Sequence, residues 1–150
     1  MHTLSAYFKG ATIFAMTGWL ALVFLPNHVY TEGYIVGVVA VLLAILYGFL
    51  LIFGKKYDEG VVYKGSFKDL EGVVNLFKSP RGVLIGWIHY LAFDLVIGLL
   101  ILKNSQHYGI SHWLMLPCLF FTFMFGPLGL MLYILLRFFI THEYFSASFF

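Results

Sequence analysis

The sequence predicts an all-α protein, a bundle of four transmembrane helices with a short interfacial amphipathic helix between spans two and three. Its 150 residues are 61% hydrophobic and only 11% charged, and the mean hydropathy is +0.91. A soluble domain carries about 25% charged residues, so this composition is typical of a membrane protein. We therefore expect a single integral membrane domain over residues 1–150.

Four apolar segments predict the spans, which cover approximately residues 7–25, 34–54, 82–102 and 113–139. A helix needs about 20 apolar residues to cross a bilayer core, and the last three segments reach that length outright. The first segment is extended back to Tyr7, so that the charged end of Lys9 reaches the interface. Because no basic cluster or small-residue cleavage site marks a signal peptide, we expect this segment to be retained.

The interfacial helix is predicted within the long connector, residues 55–81. Its apolar residues recur at helical spacing, namely Phe67, Leu70, Val74 and Phe77. Ser66 followed by Asp69 resembles a helix cap, and Pro80 marks the end of the helix. This pattern is typical of a helix that lies on the membrane surface.

Basic residues are concentrated on one predicted side of the membrane. Four spans place both termini and the connector 55–81 on that side, which then holds eight of the nine basic residues. The eight are Lys9, Lys55, Lys56, Lys64, Lys68, Lys78, Arg81 and Arg137. The other side holds Lys103. Because cytoplasmic loops are rich in Lys and Arg, we expect both termini in the cytoplasm.

The third span carries two ionisable residues, His89 and Asp94, inside an apolar run. A carboxylate at the bilayer centre costs roughly 2.5–3.5 kcal/mol on insertion scales, so such residues are functional candidates by default. The two lie about 140° apart around a helix, and each needs a partner from a neighbouring helix or from water. Asp94 shares its stripe with Trp87 and Tyr90. The competing interpretation is structural: Asp94 joins helices through a buried hydrogen bond.

The fourth span contains a proline near its middle. Pro127 lacks an N–H, so it frees the carbonyl of Phe123 and kinks a helix. Gly126 allows another group to approach closely, and Thr122 is positioned to donate a hydrogen bond to Asp94. A pocket beside the kink and an ordinary proline kink are both consistent with this pattern.

Other chemistries find less support in the sequence. The net charge of +2 does not suggest nucleic-acid binding, and the single cysteine, Cys118, excludes an intrachain disulfide. The sequence contains no phosphate-binding loop and no dinucleotide fingerprint. We expect no metal and no cofactor, although a metal site built from His89, His112 and Asp94 stays an open alternative.

Two runs of the sequence resemble one family of membrane proteins. The run "LEGVVNLFKSPRGVLIGWIHYLAFDLVIG" (70–98), followed by "PCLFFTFMFGPLGL" (117–130), is similar to the abscisic-acid-deficient-four-like family. The positions that match are Leu76, Phe77, Trp87, His89, Leu91, Asp94, Leu95, Pro127 and Gly129. These are small four-span proteins, and the plant members are required to make neoxanthin from violaxanthin. The resemblance therefore implies a carotenoid or a related isoprenoid as substrate.

The sequence also departs from the plant pattern. Pro117 falls where the plant proteins have a histidine near the start of the last span, and Thr122 replaces a cysteine. The spelling "HYLAFDL" is similar to the bacterial branch, which implies a multi-pass protein of a bacterial inner membrane. The resemblance to the family therefore supports the same fold for this chain, and it supports the precise reaction only poorly.

The resulting hypothesis is a small membrane protein that acts on a carotenoid or related isoprenoid lipid, as an isomerase-type or epoxide-opening enzyme. Opening an epoxide to an allenic alcohol needs one proton delivered to oxygen and another removed from carbon. We expect His89 and Asp94 to be the catalytic residues, with Asp94 as acid or electrostatic stabiliser and His89 as base. The expected substrate-binding residues are Trp87, Tyr90, Thr122, Gly126 and Pro127.

A non-catalytic role is the alternative. The aromatic-rich spans suit a membrane subunit that binds a pigment, a lipid or a partner membrane protein equally well. In either case the expected partners are membrane lipid and a carotenoid or other hydrophobic small molecule, and not nucleic acid. A homo-oligomer and a larger membrane complex both stay open.

Overall fold

The computed structural model describes residues 2–58 and 65–144, which are helical with short connections and contain no strand. In chain order the elements are α1 (His2–Phe24), α2 (Thr31–Tyr34), a π-helical segment (Ile35–Ala40), α3 (Val41–Phe53), a 3₁₀ segment (Gly54–Asp58), α4 (Leu70–Phe77), α5 (Pro80–His107), α6 (His112–Phe125) and α7 (Pro127–Thr141). The predicted all-α class is confirmed.

Three helical stretches are long and apolar enough to cross a membrane, namely α1, the continuous run Thr31–Asp58 and α5. Helices α1 and α5 run parallel, since Thr12 bonds Trp87 near their starts and Trp19 packs on Gly98 further along. We call the end of the bundle that holds His2, Asp58 and Pro80 the N-terminal end, and the end that holds Phe24 and His107 the opposite end.

The run Thr31–Asp58 lies antiparallel to α1. Its start bonds the second half of α1 through the Tyr34 and Thr17 hydroxyls, 2.7 Å apart, and its end reaches the start of α1 through Tyr57 and Tyr7. Large aliphatic side chains fill the space between the three stretches, and small residues let the helices approach. Leu95 of α5, for example, is fully buried against Gly18 of α1.

The short helix in the connector is α4, and it begins at Leu70 rather than at Ser66. The Asp69 side chain caps it by accepting a hydrogen bond from the Gly72 N–H at 2.6 Å. On its apolar face Leu70 is 80% exposed and Val74 is 49% exposed, whereas the Phe77 ring contacts Gly86 of α5. The helix and its apolar face are thus present. Lys64, which the charge count included, lies outside the described residues.

A continuous fourth span over residues 113–139 is not confirmed, because the helix stops at Phe125 and starts again at Pro127. Gly126 lies between them with φ +49°, in a region that favours glycine. Helix α7 then folds back along α6. A Cβ on Gly129 would lie 2.1 Å from the Thr122 nitrogen, so the two backbones touch. The predicted proline kink is therefore the turn of a helical hairpin.

The hairpin enters and leaves at the opposite end of the bundle. Helix α6 starts there at His112, five residues after α5 has ended at His107, and Arg137 of α7 returns to bond Asn104 of α5 at 3.0 Å. The Arg137 guanidinium also lies 5.4 Å from the Tyr108 ring. The described C-terminal residues therefore lie at the end away from His2. The expected common side for both termini is not confirmed.

Candidate functional site

Helix α5 presents Trp87 and Tyr90 to an apolar groove in the N-terminal half of the bundle. Its volume is about 590 Å³, within the usual range of ligand sites. Helix α5 forms the back wall, α1 one side, α4 the outer end and the hairpin tip the inner end. We call it the α5 groove, and its lining residues are Thr12, Phe77, Val83, Gly86, Trp87, Tyr90, Leu91, Phe123 and Met124.

Two hydrogen bonds fix the aromatic residues of the groove. The Trp87 indole N–H donates to the Thr12 hydroxyl at 2.9 Å, and the Thr12 hydroxyl donates to the Phe8 carbonyl at 2.8 Å. The Tyr90 hydroxyl donates to the Phe123 carbonyl at 2.7 Å. That carbonyl is the one left without its usual helical partner, because Pro127 has no N–H. With both donors used internally, the groove offers aromatic faces to a ligand.

Asp94 lies just beyond the inner end of the groove, one helical turn past Tyr90 and against the hairpin turn. A Cβ on Gly126 would be 2.7 Å from Asp94 Oδ1, so only glycine leaves room for the carboxyl there. The Tyr90 hydroxyl lies close enough to interact with Asp94. The other oxygen, Oδ2, is buried and has no hydrogen-bond partner among residues 2–58 and 65–144. The carboxyl also lies beside the start of α7, where a helix carries partial positive charge.

His89 lies on another face of α5. It is exposed at the surface of the bundle, stacked on Phe93 at 4.4 Å between ring centroids and 5.9 Å from the Tyr47 ring. Phe93 is itself 60% exposed. The structure therefore does not pair His89 with Asp94 directly. The contacts of His89 are instead with Tyr47 of α3 and with Phe93 on its own helix.

The other three predicted substrate-binding residues belong to the hairpin turn. Gly126 contacts Asp94, and Pro127 begins α7. Thr122 is fully buried between α6 and α7, where its hydroxyl donates to the Cys118 carbonyl at 2.8 Å. The Thr122 hydroxyl therefore bonds within α6 rather than to Asp94, while Thr122 packs against Gly129 of α7, and Asp94 contacts the turn through Gly126.

A charged cluster closes the N-terminal end of the bundle near the groove. Asp58 accepts hydrogen bonds from the Ser79 hydroxyl at 2.8 Å and from Arg81 Nε at 2.9 Å. Arg81 also donates to the Leu50 carbonyl at 3.4 Å. Since Ser79 caps α5, this cluster ties the end of the second long stretch to the first turn of α5. It thereby fixes the helix that carries the groove residues.

The residues of the alternative metal site are not brought together. His112 lies at the opposite end of the bundle, with its Nε2 2.9 Å from the Val23 carbonyl. No group of three His, Cys, Asp or Glu side chains with metal-binding geometry occurs in the described parts of the chain. A second cleft, of about 550 Å³ between α1 and α2, contains none of the predicted site residues. The α5 groove is therefore the candidate site.

Comparison with known families decides what the chain is. A family profile described as ABA DEFICIENT 4-like matches residues 6–133. The chain belongs to the ABA DEFICIENT 4-like family. Comparison with curated proteins and comparison with solved structures give no match. The resemblance read from the sequence is thus confirmed at the level of the family.

The part of the chain that matches the ABA DEFICIENT 4-like family includes the whole α5 groove and the hairpin turn. Within it, Trp87 and Leu91 line the groove, and Asp94 contacts the hairpin turn at Gly126. The match ends at residue 133, before Arg137.

The sequence did not identify several residues of the groove. Thr12 and Phe123 lie far along the chain from α5, and no local pattern marks a contact such as the one between Thr12 and Trp87. The amphipathic pattern includes Phe77, but it does not predict the contact between Phe77 and Gly86. Gly86, one of three glycines in the third span, was the available signal for a close contact there.

Proposed function

We propose that this chain is a small membrane enzyme that acts on a carotenoid or a related isoprenoid lipid held in the α5 groove. One observation carries the proposal: the groove is apolar along its length, and Tyr90, which lines its inner end, lies beside the carboxyl of Asp94 one helical turn further along α5. Such a site suits a long hydrocarbon body with one reactive oxygen. Membership of the ABA DEFICIENT 4-like family supports the substrate class.

The proposed reaction is an isomerisation, so it needs no co-reactant. One proton goes to the epoxide oxygen as its C–O bond breaks, and one proton leaves carbon as the new double bond forms. Asp94 is proposed to supply the first proton, because it lies where the groove ends. His89 remains the proposed base, reached by a ligand that lies below the hairpin tip across the uncovered face of α5. Trp87 and Tyr90 hold the ligand through their ring faces.

The alternative function is a membrane subunit that binds a pigment, a lipid or a partner protein without catalysis. The exposed rings of His89 and Phe93 favour it, since a lipid-facing imidazole has no water to bond. A partner helix or a second copy of the chain would cover these rings. This arrangement would leave the α5 groove as a binding site only.

The experiment that separates the two is turnover by the protein purified alone in detergent. Epoxidised carotenoid is supplied, and the products are identified by mass spectrometry together with any lipid extracted from the protein. Conversion without other proteins supports the enzyme. A bound pigment that is recovered unchanged, from protein found only within a larger assembly, supports the subunit and refutes the enzyme.

We further propose that the N-terminal end of the bundle faces the cytoplasm, in a bacterial inner membrane. Lys9 lies in the first turns of α1, Lys55 and Lys56 lie at the end of the second long stretch, Lys68 and Lys78 flank α4, and Arg81 lies in the first turn of α5. At the opposite end, Lys103 is paired with Glu32 at 2.9 Å, and Arg137, which the sequence had assigned to the cytoplasmic side, bonds Asn104. The excess of basic residues therefore marks the N-terminal end as the cytoplasmic one. On this orientation the α5 groove opens within the cytoplasmic leaflet.

A further inference from the structure

Phe77 closes the outer end of the α5 groove, and its contacts differ from those of the other walls. Its ring lies on Gly86, where a Cβ would be 2.7 Å from Phe77 Cε1. On its other side the residue is 51% exposed, like Val74 on the same helix. A ring that rests on a glycine and faces the surroundings can swing away without opening the core of the bundle.

The remaining walls of the groove are tied in place. Trp87 is bonded to Thr12, and Tyr90 is bonded to the Phe123 carbonyl of the hairpin tip. Asp58 holds the first turn of α5 through Ser79 and Arg81. Displacing the Phe77 ring breaks none of these hydrogen bonds, so the outer end of the groove can yield there.

The dimensions of the groove set what can enter this way. From Gly86 to Asp94 helix α5 rises about 12 Å, at about 1.5 Å for each residue. A ring and the first carbons of an isoprenoid chain fit in that length. The rest of a longer chain has to leave the groove beside Phe77 and lie in the surrounding lipid. Apolar walls with satisfied donors favour such a hydrocarbon over a polar headgroup.

We propose that Phe77 is a specificity-determining residue that controls the passage of chain-like isoprenoids between the membrane and the α5 groove. Gly86 supplies the seat that lets its ring close the groove. This role rests on the proposed function for its ligand class, and it is independent of any proton transfer at Asp94. Exchange of ligand is then limited by movement of one side chain on α4.

The test measures release of all-trans-retinol, an isoprenoid alcohol, from the full-length protein. Energy transfer from tryptophan to bound retinol reports occupancy, and empty vesicles added in excess capture the retinol that leaves. Phe77→Ala should release retinol at least about tenfold faster, because changes in contacts act mainly on dissociation. Phe67→Ala is the matched control, since Phe67 precedes the same helix, is 88% exposed and does not line the groove.

A pair of glycine variants gives a second arm. A Cβ in Gly86→Ala displaces the Phe77 ring, whereas Gly48 has no atom within 4 Å of an added Cβ. Gly86→Ala should therefore accelerate release, as Phe77→Ala does, and Gly48→Ala should leave the rate within about twofold of the original. Melting temperatures of all four variants show that the fold is kept.

Three results would overturn the role of Phe77. They are an unchanged release rate in Phe77→Ala, an equal acceleration in Phe67→Ala, and a failure of the original protein to bind retinol. A fully active Asp94→Asn enzyme would instead refute the proposed chemistry while leaving the control of access by Phe77 intact. The two proposals can thus fail separately.

Discussion

The same face of α5 is covered in one half of the bundle and open in the other. In the half away from the N-terminus, the α6–α7 hairpin covers α5, and polar residues Asn104, Tyr133 and Arg137 are buried against one another. In the N-terminal half that face is open, and aromatic residues line the α5 groove. Asp94 marks the boundary, where the hairpin turns back.

The difference follows from helix length. Helix α6 has 14 residues and α7 has 15, so each rises only about 21–22 Å, less than the roughly 30 Å of a bilayer core. A hairpin of this length covers only part of α5 and leaves the remainder exposed. Irregular backbone such as the Gly126 turn is tolerated in a membrane where protein surrounds it. The covered half is held by contacts between α5 and the hairpin, and the open half contains the candidate site.

Cysteine labelling tests whether α6 and α7 form a hairpin. Each introduced cysteine should be either labelled or fully protected in intact cells. Glu143 is exposed at the end of the hairpin. In a background where the buried Cys118 is replaced by serine, a Glu143→Cys variant should react with a membrane-impermeant reagent added outside intact cells. Lys68→Cys, on the proposed cytoplasmic side, should react only after the membrane is opened.

Equal protection at both positions would contradict the hairpin. It would mean that α6 and α7 cross the membrane as a single span and bring both ends of the chain to one side. The covered half and the open half would then not exist as described.

Substitution of Asp94 by asparagine tests whether this residue, at the boundary between the two halves, is a proton donor. Asp94→Asn keeps the size of the side chain, so contact with Gly126 and the melting temperature should persist. Removing a positioned proton donor should lower turnover by about 10²–10⁴-fold. Turnover of epoxidised carotenoid measured beside thermal unfolding separates the two effects. A variant that is as active as the original would show that Asp94 only joins α5 to the hairpin.

Gly126→Ala tests the turn between the two halves. The backbone at φ +49° disfavours any side chain, and the added methyl group would meet Asp94 at 2.7 Å. A strained residue of this kind costs about 1–3 kcal/mol, so the free energy of unfolding in detergent should fall by that amount. Gly37→Ala is the control, because nothing lies within 4 Å of its added Cβ. Equal effects in both variants would disprove a special role for the turn.

Tyr133→Phe tests the covered half alone and has the smallest expected effect. The Tyr133 hydroxyl donates to the Asn104 side chain inside the hairpin contact. Loss of one buried hydrogen bond should lower the free energy of unfolding by about 1 kcal/mol and leave retinol binding in the groove unchanged. Tyr30→Phe, at a 73% exposed position, should change neither quantity. Altered retinol binding in Tyr133→Phe would show that the two halves are not independent.

The sequence was sufficient for the features that depend on local pattern. Composition gave the all-α membrane class, and the periodicity of the connector predicted a helix that the structure places at Leu70–Phe77. The helical wheel separated His89 from Asp94, and the two lie on different faces of α5. The Phe123 carbonyl also lacks its helical partner as predicted, and the Tyr90 hydroxyl donates to it.

The hairpin could not be predicted from local sequence pattern, because residues 113–139 are long and apolar enough for one span. What decides between a span and a hairpin is the backbone at Gly126 together with contacts to α5, such as the one between Arg137 and Asn104. A proline within such a segment is compatible with a kink and with a turn. Thr122 was assigned to the substrate for the same reason, since its true neighbour, Gly129, is adjacent only once the chain folds back.

The hydroxyl of Tyr90 carries a single proton, and that proton is already used in a hydrogen bond. It is donated to the Phe123 carbonyl, so toward Asp94 the same oxygen can act only as an acceptor. A protonated Asp94 can therefore share Tyr90 with the hairpin tip, whereas a deprotonated Asp94 competes with the tip for it. If Asp94 is the acid of the proposed reaction, loss of its proton makes it compete with the Phe123 carbonyl for the proton of Tyr90. The hydrogen bond between α5 and the hairpin tip would then depend on the protonation state of Asp94.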